Sequence, residues 1–280
     1  MSETADGYDA RAFQEIVRYE PSSWWFRSRN RLIERAIREH FSGARFVLEV
    51  GCGTGFTMYA LRGALPEATL TGTELFEEGL EIARARWPDV TLRQADGRAL
   101  PFTEEFDLVG AFDVLEHIDD DAAAVREAYR VLRPGGGLLV TVPQHQWLWS
   151  DADTYAQHQR RYARDALTTV VRDAGFEVVR VTSFVTLLLP AMALARAVRR
   201  QRDRSHEPFD PWAEFKIPRV LNRTFELLAA IEYRLIARGV SLPAGGSLLL
   251  AARKPAVHED EKTDGVQTVA SIDRRVASIT

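Results

Sequence analysis

The chain has little cysteine, no excess of positive charge and no long apolar run, and each absence excludes a class of function. Cys52 is the only cysteine among 280 residues, so no disulfide can form within the chain. The formal net charge is −4. The chain therefore lacks the positive field that attracts phosphates, and we expect no nucleic acid substrate. Its longest apolar run, residues 184–195, is shorter than the roughly 20 residues that a membrane-spanning helix needs.

The composition indicates a protein with a substantial core. Apolar residues make up 46% of the chain, which is enough for one large α/β domain. The sequence does not begin with a basic segment followed by an apolar one, as a secretory signal would. We therefore expect a cytoplasmic location.

Hydrophobic patterning predicts strands that alternate with helices. The predicted strands are 46–50, 68–73, 90–94, 107–111, 137–142, 177–182 and 247–252, and the predicted helices are 31–41, 56–65, 77–86, 122–132 and 165–174. Alternation of this kind implies right-handed crossovers and a mostly parallel, doubly wound α/β sheet.

The most informative segment, residues 47–55, reads Val-Leu-Glu-Val-Gly-Cys-Gly-Thr-Gly. Glycines at the end of a buried strand let the backbone approach a ligand closely, and amides at a helix start favour polar groups. A dinucleotide fingerprint would need glycine at position 56 or 58, which hold Phe56 and Met58. A P-loop would need a Gly-Lys-Ser/Thr ending, which is missing. The loop therefore predicts a nucleotide-like cofactor other than NAD or ATP.

This pattern of strand, acid and G-x-G-x-G resembles motif I of the class I S-adenosylmethionine (SAM) dependent methyltransferases. The resemblance covers about residues 24–253 and includes the segments 94–97 and 112–118 and the turn 133–137. It implies a Rossmann-like, seven-stranded sheet with an antiparallel last strand. SAM would be the cofactor and S-adenosylhomocysteine the product.

On this basis the chain divides into five parts. We expect an N-terminal helical cap at 1–45, a SAM-binding core at 46–183, a helical insertion at 184–240 and the final strand of the core at 241–254. The polar tail at 255–280 is expected to be disordered.

The expected cofactor residues come from the glycine loop, from the ends of the next strands and from the N-terminal segment. They are Arg27, Glu49, Gly51, Gly53, Gly55, Glu74, Leu75, Asp96, Gly97 and Asp113. Glu74 lies roughly 20 residues past the glycines, where a carboxylate accepts from ribose hydroxyls. The resemblance implies that Asp96 accepts from the adenine amino group, and a turn-capping role is the alternative.

Trp24-Trp25-Phe26 places three large aromatics near the N-terminus. They either pack on the sheet or form a lid over the cofactor, with Arg27 or Arg31 pairing with the SAM carboxylate. Similar Trp-Trp-Phe segments occur in a bacterial subgroup of the family that is associated with glycan or lipid biosynthesis.

Loops that follow the fourth and fifth strands face the acceptor in this architecture. The candidates for positioning or deprotonating an acceptor are His117, His145, His158 and Tyr162, together with Asp153. We expect no metal, because no two such residues have the i, i+4 spacing of a helical zinc pair beside a third ligand.

The leading hypothesis is methyl transfer to an O, N or C nucleophile of a small-molecule, glycan or lipid-linked acceptor. A non-catalytic SAM-binding scaffold and, less favoured, an NAD(P)-dependent oxidoreductase are the alternatives. In residues 184–204 apolar side chains precede a basic cluster. This segment suits peripheral contact with the inner membrane face, a lid or a homodimer contact, and the sequence leaves these three open.

Overall fold

The computed structural model describes residues 12–202, 210–213 and 215–256. Its sheet has seven strands: β1 Phe46–Val50, β2 Thr69–Glu74, β3 Thr91–Gln94, β4 Phe106–Phe112, β5 Leu132–Pro143, β6 Glu177–Phe184 and β7 Ser247–Arg253. Their spatial order is β3-β2-β1-β4-β5-β7-β6. The first five strands pair in parallel, and β7 is antiparallel to both β5 and β6. The predicted fold class, including the antiparallel last strand, is confirmed.

Helices cover both faces of the sheet. They are α1 Ala12–Tyr19, α2 Trp24–His40, α3 Met58–Ala64, α4 Glu77–Arg86, α5 Asp121–Val131, α6 Asp151–Tyr155, α7 Arg164–Asp173, α8 Leu189–Arg202 and α9 Arg219–Ala237. One core cluster joins α2 and α3 to the sheet, and the other joins α5 and α7 to its opposite face. Strand β1 contributes Val47 to the first cluster, and Leu48 and Val50 to the second, because successive strand residues point to opposite faces.

Two predicted boundaries were wrong. The helix expected at 31–41 begins at Trp24, because the Ser23 hydroxyl accepts a hydrogen bond from the Trp25 amide and caps the helix there. The insertion at 184–240 is not helical throughout. Residues 210–213 and 215–218, which include Pro211 and Pro218, precede α9 and are not helical, as expected beside prolines, which lack a backbone N–H. The expected disordered tail lies outside the described residues from position 257 onward.

The strand order changes direction between β1 and β4, which lie side by side. Open α/β sheets bind ligands at such a switch point, beyond the carboxyl ends of the strands. The glycine loop that follows β1 and the segment that follows β4 therefore meet at one edge of the sheet. Among the described residues no helix has the length and apolarity to cross a bilayer.

Candidate active site

The glycine loop has a backbone that only glycine adopts without strain. Gly51, Gly53 and Gly55 have φ angles of 65°, 52° and 74°, all in the left-handed region. A Cβ atom on Gly51 would lie 2.6 Å from a Val114 methyl carbon, and one on Gly55 would lie 2.9 Å from the Trp87 ring. A Cβ atom on Gly53 would meet only Phe13, at 3.5 Å. Gly51 and Gly55 are therefore packed against protein, whereas Gly53 has room on its outer side.

The carboxylate of Glu74 organises this loop from the end of β2. One oxygen accepts the Gly53 amide at 2.9 Å, and the other accepts the amides of Leu75 and Phe76 at 2.8 and 3.2 Å. Burial raises the pKa of Glu74, although these three hydrogen bonds oppose the increase. A carboxylate has about four acceptor positions, so Glu74 keeps capacity for a hydroxyl donor.

Glu49 is a buried acid without a matching donor. It lies in β1, is 2% exposed, and its Oε2 atom has no hydrogen-bond partner among the described residues. Burial raises the pKa of Glu49 to about 8, the charge of Arg29 opposes this, and the charge of Glu74 adds to it. The site therefore contains a carboxyl group that a cationic ligand would stabilise in its charged form.

Arg29 is the residue that sequence reasoning missed. Its guanidinium donates to the Thr57 hydroxyl at 2.9 Å and to the Asp113 carboxylate, and its Nε atom is buried without a partner. The signal was present in the sequence, since Arg29 is one of several arginines in α2. Only the helix phase shows which of them faces the glycine loop.

The role predicted for Arg27 or Arg31 requires correction. Both guanidinium groups pair with Glu226 of α9, at 2.7 and 3.2 Å, on the other side of α2 from Arg29. Residues two apart in a helix point in nearly opposite directions, whereas residues four apart share a face. Arg27 and Arg31 therefore join α2 to α9 and do not reach the loop.

Asp113 ends β4 in a left-handed conformation, with a φ angle of 57°. Its carboxylate accepts from Arg29 and from the Thr141 hydroxyl, the latter at 3.2 Å. Left-handed backbone is uncommon outside glycine, although aspartate tolerates it better than most residues. This conformation and the ion pair place Asp113 near the glycine loop, where the neighbouring Val114 packs against Gly51. Its predicted contact with the cofactor stays a prediction.

Asp96 has the turn-capping contacts that were the alternative to adenine binding. It accepts the Arg98 amide at 2.8 Å and the Arg98 guanidinium at 2.7 Å, and the hydrogen bond from that guanidinium lowers the pKa of Asp96. A Cβ atom on the neighbouring Gly97 would lie 3.1 Å from Val50. Leu75, at the end of β2, is 38% exposed. The structure is compatible with an adenine site here.

Two of the candidate histidines meet beyond the carboxyl end of β4. The rings of His117 and His158 lie edge to face, with centroids 4.6 Å apart. His158 shares a 2.9 Å hydrogen bond through Nδ1 with the buried carboxylate of Asp153. Burial, and then the charge of His158, lower the pKa of His117 to about 4. Burial alone would raise the pKa of Asp153, but hydrogen bonds from His158 and Arg161 hold it well below its ordinary value.

Similarity to known proteins covers the glycine loop and the ends of β2 and β4 in this site. Residues 48–140 match the family model of the methyltransferase domain. A protein of Mycolicibacterium smegmatis named as a probable S-adenosylmethionine-dependent methyltransferase is 34% identical over 159 residues, which are 56% of this chain and 60% of that protein. Residues 48–140 are therefore similar to a SAM-dependent methyltransferase domain.

A further curated relative and a solved structure are similar to the chain in sequence and in fold, respectively. A ubiquinone biosynthesis O-methyltransferase of Pseudomonas putida is 34% identical over 139 residues, or 44% of this chain and 59% of that protein. The chain spans less than two thirds of the length of both curated relatives. A solved chain from the complex of the Haloferax volcanii Trm112 methyltransferase activator with a methyltransferase has a TM-score of 0.57 at 18% identity, covering 90% of this chain and 100% of that one.

The fold alone does not prove methyl transfer. The solved structure of the [4+2]-cyclase SpnF has a TM-score of 0.54 and 23% identity, and it covers 81% of this chain and 82% of that one. A protein named for cyclisation thus shares the architecture, as expected when function depends on the site rather than on the fold.

Helix α1 covers the glycine loop of the methyltransferase domain. Phe13 packs beside Gly53 and against Phe76, with ring centroids 6.1 Å apart. Glu20, just after α1, accepts from the Thr54 hydroxyl and from Arg86, the latter at 2.8 Å. The N-terminal segment therefore contacts the predicted cofactor site directly.

The Trp-Trp-Phe segment packs rather than covering the cofactor site. Trp25 stacks on Phe184 with centroids 5.7 Å apart, and Trp24 meets Phe225 of α9 edge to face at 5.5 Å. Phe26 contacts Phe56, which follows the glycine loop, at 5.8 Å. These rings fix α2 against the sheet and against the helical insertion.

The other two candidates, Tyr162 and His145, have different surroundings. Tyr162 is 3% exposed and donates its hydroxyl to Asp121 at 2.6 Å, and burial raises its pKa. The Tyr162 hydroxyl thus takes part in packing in this structure, and its predicted catalytic role stays a prediction. His145 has a φ angle of 65° and stacks on Trp147 at 5.3 Å. Burial lowers the pKa of His145.

Proposed function

We propose that the chain is a SAM-dependent methyltransferase that acts on a hydroxyl oxygen of a small or lipid-linked acceptor. The observation that carries this proposal is Glu49, a buried carboxyl with an unpartnered oxygen, two residues before a glycine loop in the left-handed conformation. An unmatched buried acid is destabilising unless a cationic ligand completes it. The ammonium group of SAM is such a ligand.

The remaining residues suit the other parts of SAM. Arg29, with a buried unpartnered Nε, would bind the methionine carboxylate by a charge-assisted hydrogen bond. Glu74 would accept from the ribose hydroxyls while it holds the Gly53 amide. Asp96 and Leu75 would border the adenine. This assignment replaces Arg27 with Arg29 and keeps the other predicted ligands.

Bound SAM supplies an electrophilic methyl group on a sulfonium centre. The chain would contribute mainly position, because a displacement of this kind needs the nucleophile held in line and water kept away. His117 and His158 lie on the acceptor side, close enough to Asp113 for its charge to affect His117. The acceptor oxygen would therefore approach between the histidine pair and the glycine loop.

Calorimetric titration with SAM, S-adenosylhomocysteine and NADH tests the cofactor assignment. We expect saturable binding of the first two and none of NADH. Glu49→Gln should weaken SAM binding at least tenfold, whereas Glu67→Gln, at an exposed position, should not change it. Binding of NADH alone would restore the oxidoreductase alternative. SAM binding without methyl transfer to any hydroxyl acceptor would favour the non-catalytic scaffold.

The lipid-linked alternative is supported by the outer face of α9. Every exposed side chain of this helix is apolar, arginine or threonine, and its two acids, Glu226 and Glu232, are turned inward. Val220, Leu227 and Ile231 are 78%, 63% and 41% exposed and, at intervals of seven and four residues, lie on one face. An apolar stripe on a helix whose only exposed charged groups are arginines suits an anionic lipid surface.

Co-sedimentation with vesicles tests this surface. We expect the protein to bind phosphatidylcholine vesicles only when they contain phosphatidylglycerol, and the double variant Leu227→Glu/Ile231→Glu to lose binding. Val179→Glu, which changes an exposed apolar residue of β6, is the matched control. If the double variant instead dissociates a dimer without changing vesicle binding, the face is a contact between two copies of the chain.

A further inference from the structure

One cluster on the acceptor side combines two histidines with a buried glutamate. Glu116 and His117 belong to the short 3-10 turn Leu115–His117 after β4, and His158 lies in the loop after α6. The Gln159 amide donates to the Glu116 carbonyl at 2.6 Å, which fixes this loop against the turn. One ring nitrogen from each histidine and one Glu116 oxygen all lie within 4.8 Å of one another.

Glu116 brings a buried oxygen without a partner into this cluster. It is 1% exposed, and its Oε2 atom has no partner among the described residues. The Asp153 carboxylate contacts Nδ1 of His158, and His117 hydrogen-bonds to the backbone of Ala156, so both rings are held in place beside Glu116. A cation bound among these three side chains would satisfy the Glu116 oxygen.

We propose that Glu116, His117 and His158 bind a divalent transition-metal ion on the acceptor side of the domain. Two imidazoles and one carboxylate suit Zn²⁺, Co²⁺ and similar ions, whereas Mg²⁺ and Ca²⁺ prefer oxygen ligands. Each histidine also has the outer hydrogen bond that orients metal-binding imidazoles: Asp153 holds His158, and the backbone of Ala156 holds His117. Three protein ligands leave a coordination position open for an exogenous oxygen.

The sequence did not predict this site, because its third ligand comes from a distant loop. No i, i+4 pair marks it. Instead, the capping contacts of Ser150 with Asp153, at 2.8 and 3.0 Å, and the bidentate Arg161–Asp153 pair hold the carboxylate that orients His158. Asp153 is therefore a positioning residue rather than a ligand.

The metal would act on a hydroxyl acceptor, and this part of the inference depends on the proposed function. An oxygen bound at the open position becomes more acidic, and its proton passes to water. That oxygen then forms the bond to the methyl carbon while the carbon–sulfur bond of SAM breaks, leaving S-adenosylhomocysteine. Metal binding itself does not depend on methyl transfer.

Cobalt titration of tag-free, chelator-treated protein tests the site without any measurement of activity. We expect one Co²⁺ per chain with visible d–d absorption, displaced by Zn²⁺ and unaffected by excess Mg²⁺. His117→Gln and His158→Gln should each abolish the absorption, and Asp153→Asn should weaken binding roughly 10- to 100-fold. His145→Gln, which removes a histidine with a buried unpartnered Nε2 outside the cluster, should keep wild-type binding.

Absence of stoichiometric Co²⁺ binding would overturn the proposal and would mean that the cluster holds a proton. The proposal also fails if His145→Gln abolishes binding and His158→Gln does not. Thermal melting of each variant shows that it folds. SAM titration of the same proteins separates the two proposals, since loss of the metal should leave SAM affinity within about twofold.

Discussion

At the residue scale, the candidate site contains three acids that differ in burial and in hydrogen-bond partners. Glu74 is satisfied by three backbone amides, Glu49 has an oxygen without a partner, and Asp96 is paired with Arg98 near the surface. Burial disfavours the charged form of a carboxyl group, and donors or cations favour it. Glu49 therefore gains most from a cationic ligand, and it is the residue on which the cofactor assignment rests most directly.

The glycines allow backbone strain to be separated from contact with the cofactor. Gly53 and Gly135 have φ angles of 52° and 80°, and both have room for a Cβ atom. Replacement of either by alanine should cost about 1 to 2 kcal/mol of folding free energy, because the left-handed backbone strains an L residue. Only Gly53→Ala should also weaken SAM binding, as measured by calorimetry. Equal affinity in both variants would contradict the placement of SAM on this loop.

Glu49 also predicts how the stability of the SAM-free protein depends on pH. Burial raises its pKa from 4.5 to about 8, so the folded chain keeps a proton that the unfolded chain loses. The contribution of Glu49 to stability is therefore largest below pH 4.5. It decreases as the pH rises towards the folded-state pKa. Urea titrations across this pH range measure the free energy of unfolding. Glu49→Gln should make its decrease with rising pH smaller, whereas Glu67→Gln should leave that decrease unchanged. Identical slopes would show that Glu49 is already ionised.

At the element scale, α1 and α2 enclose the glycine loop from two directions. Helix α2 reaches it through Arg29 and through Asn30, whose side chain donates to the Phe56 carbonyl at 3.0 Å. Helix α1 reaches it through Phe13, and Glu20, directly after this helix, contacts Thr54. Helix α2 is also joined to α9 by the Arg27–Glu226 pair. The helical insertion and the glycine loop are therefore both in contact with α2.

The contact of α1 with the glycine loop predicts that Phe13 slows release of the cofactor product. Phe13→Ala should accelerate dissociation of S-adenosylhomocysteine roughly tenfold, equivalent to about 1.4 kcal/mol, because the ring packs beside Gly53. Stopped-flow tryptophan fluorescence measures this rate. Phe46→Ala, which removes an exposed ring at the amino end of β1, is the control. An unchanged rate in Phe13→Ala would mean that α1 does not cover bound cofactor.

At the scale of the whole molecule, a ligand that binds only the folded chain stabilises all of it. SAM at 100 times its dissociation constant should add about 2.7 kcal/mol to the free energy of unfolding. For a chain of this size that corresponds to a rise in melting temperature of about 5 °C. Differential scanning calorimetry with SAM and with NADH measures it. A rise with NADH alone would contradict the cofactor assignment.

The sequence by itself determined the fold class, the glycine loop and the acids at the strand ends. These are local features: apolar periodicity sets strands and helices, and glycines directly after a strand mark a ligand-binding turn. Glu49, Glu74 and Asp113 were found for this reason, since parallel strands bring their carboxyl ends to one edge.

The tertiary structure decided which side chains meet. The phase of helix α2 directs Arg29 towards Thr57, beside the glycine loop, and Arg27 towards Glu226. Packing buries Tyr162, whose hydroxyl donates to Asp121. Contact between two loops distant in sequence brought His158 to His117. No local pattern encodes such contacts, because they depend on how whole elements pack and on where their side chains then point.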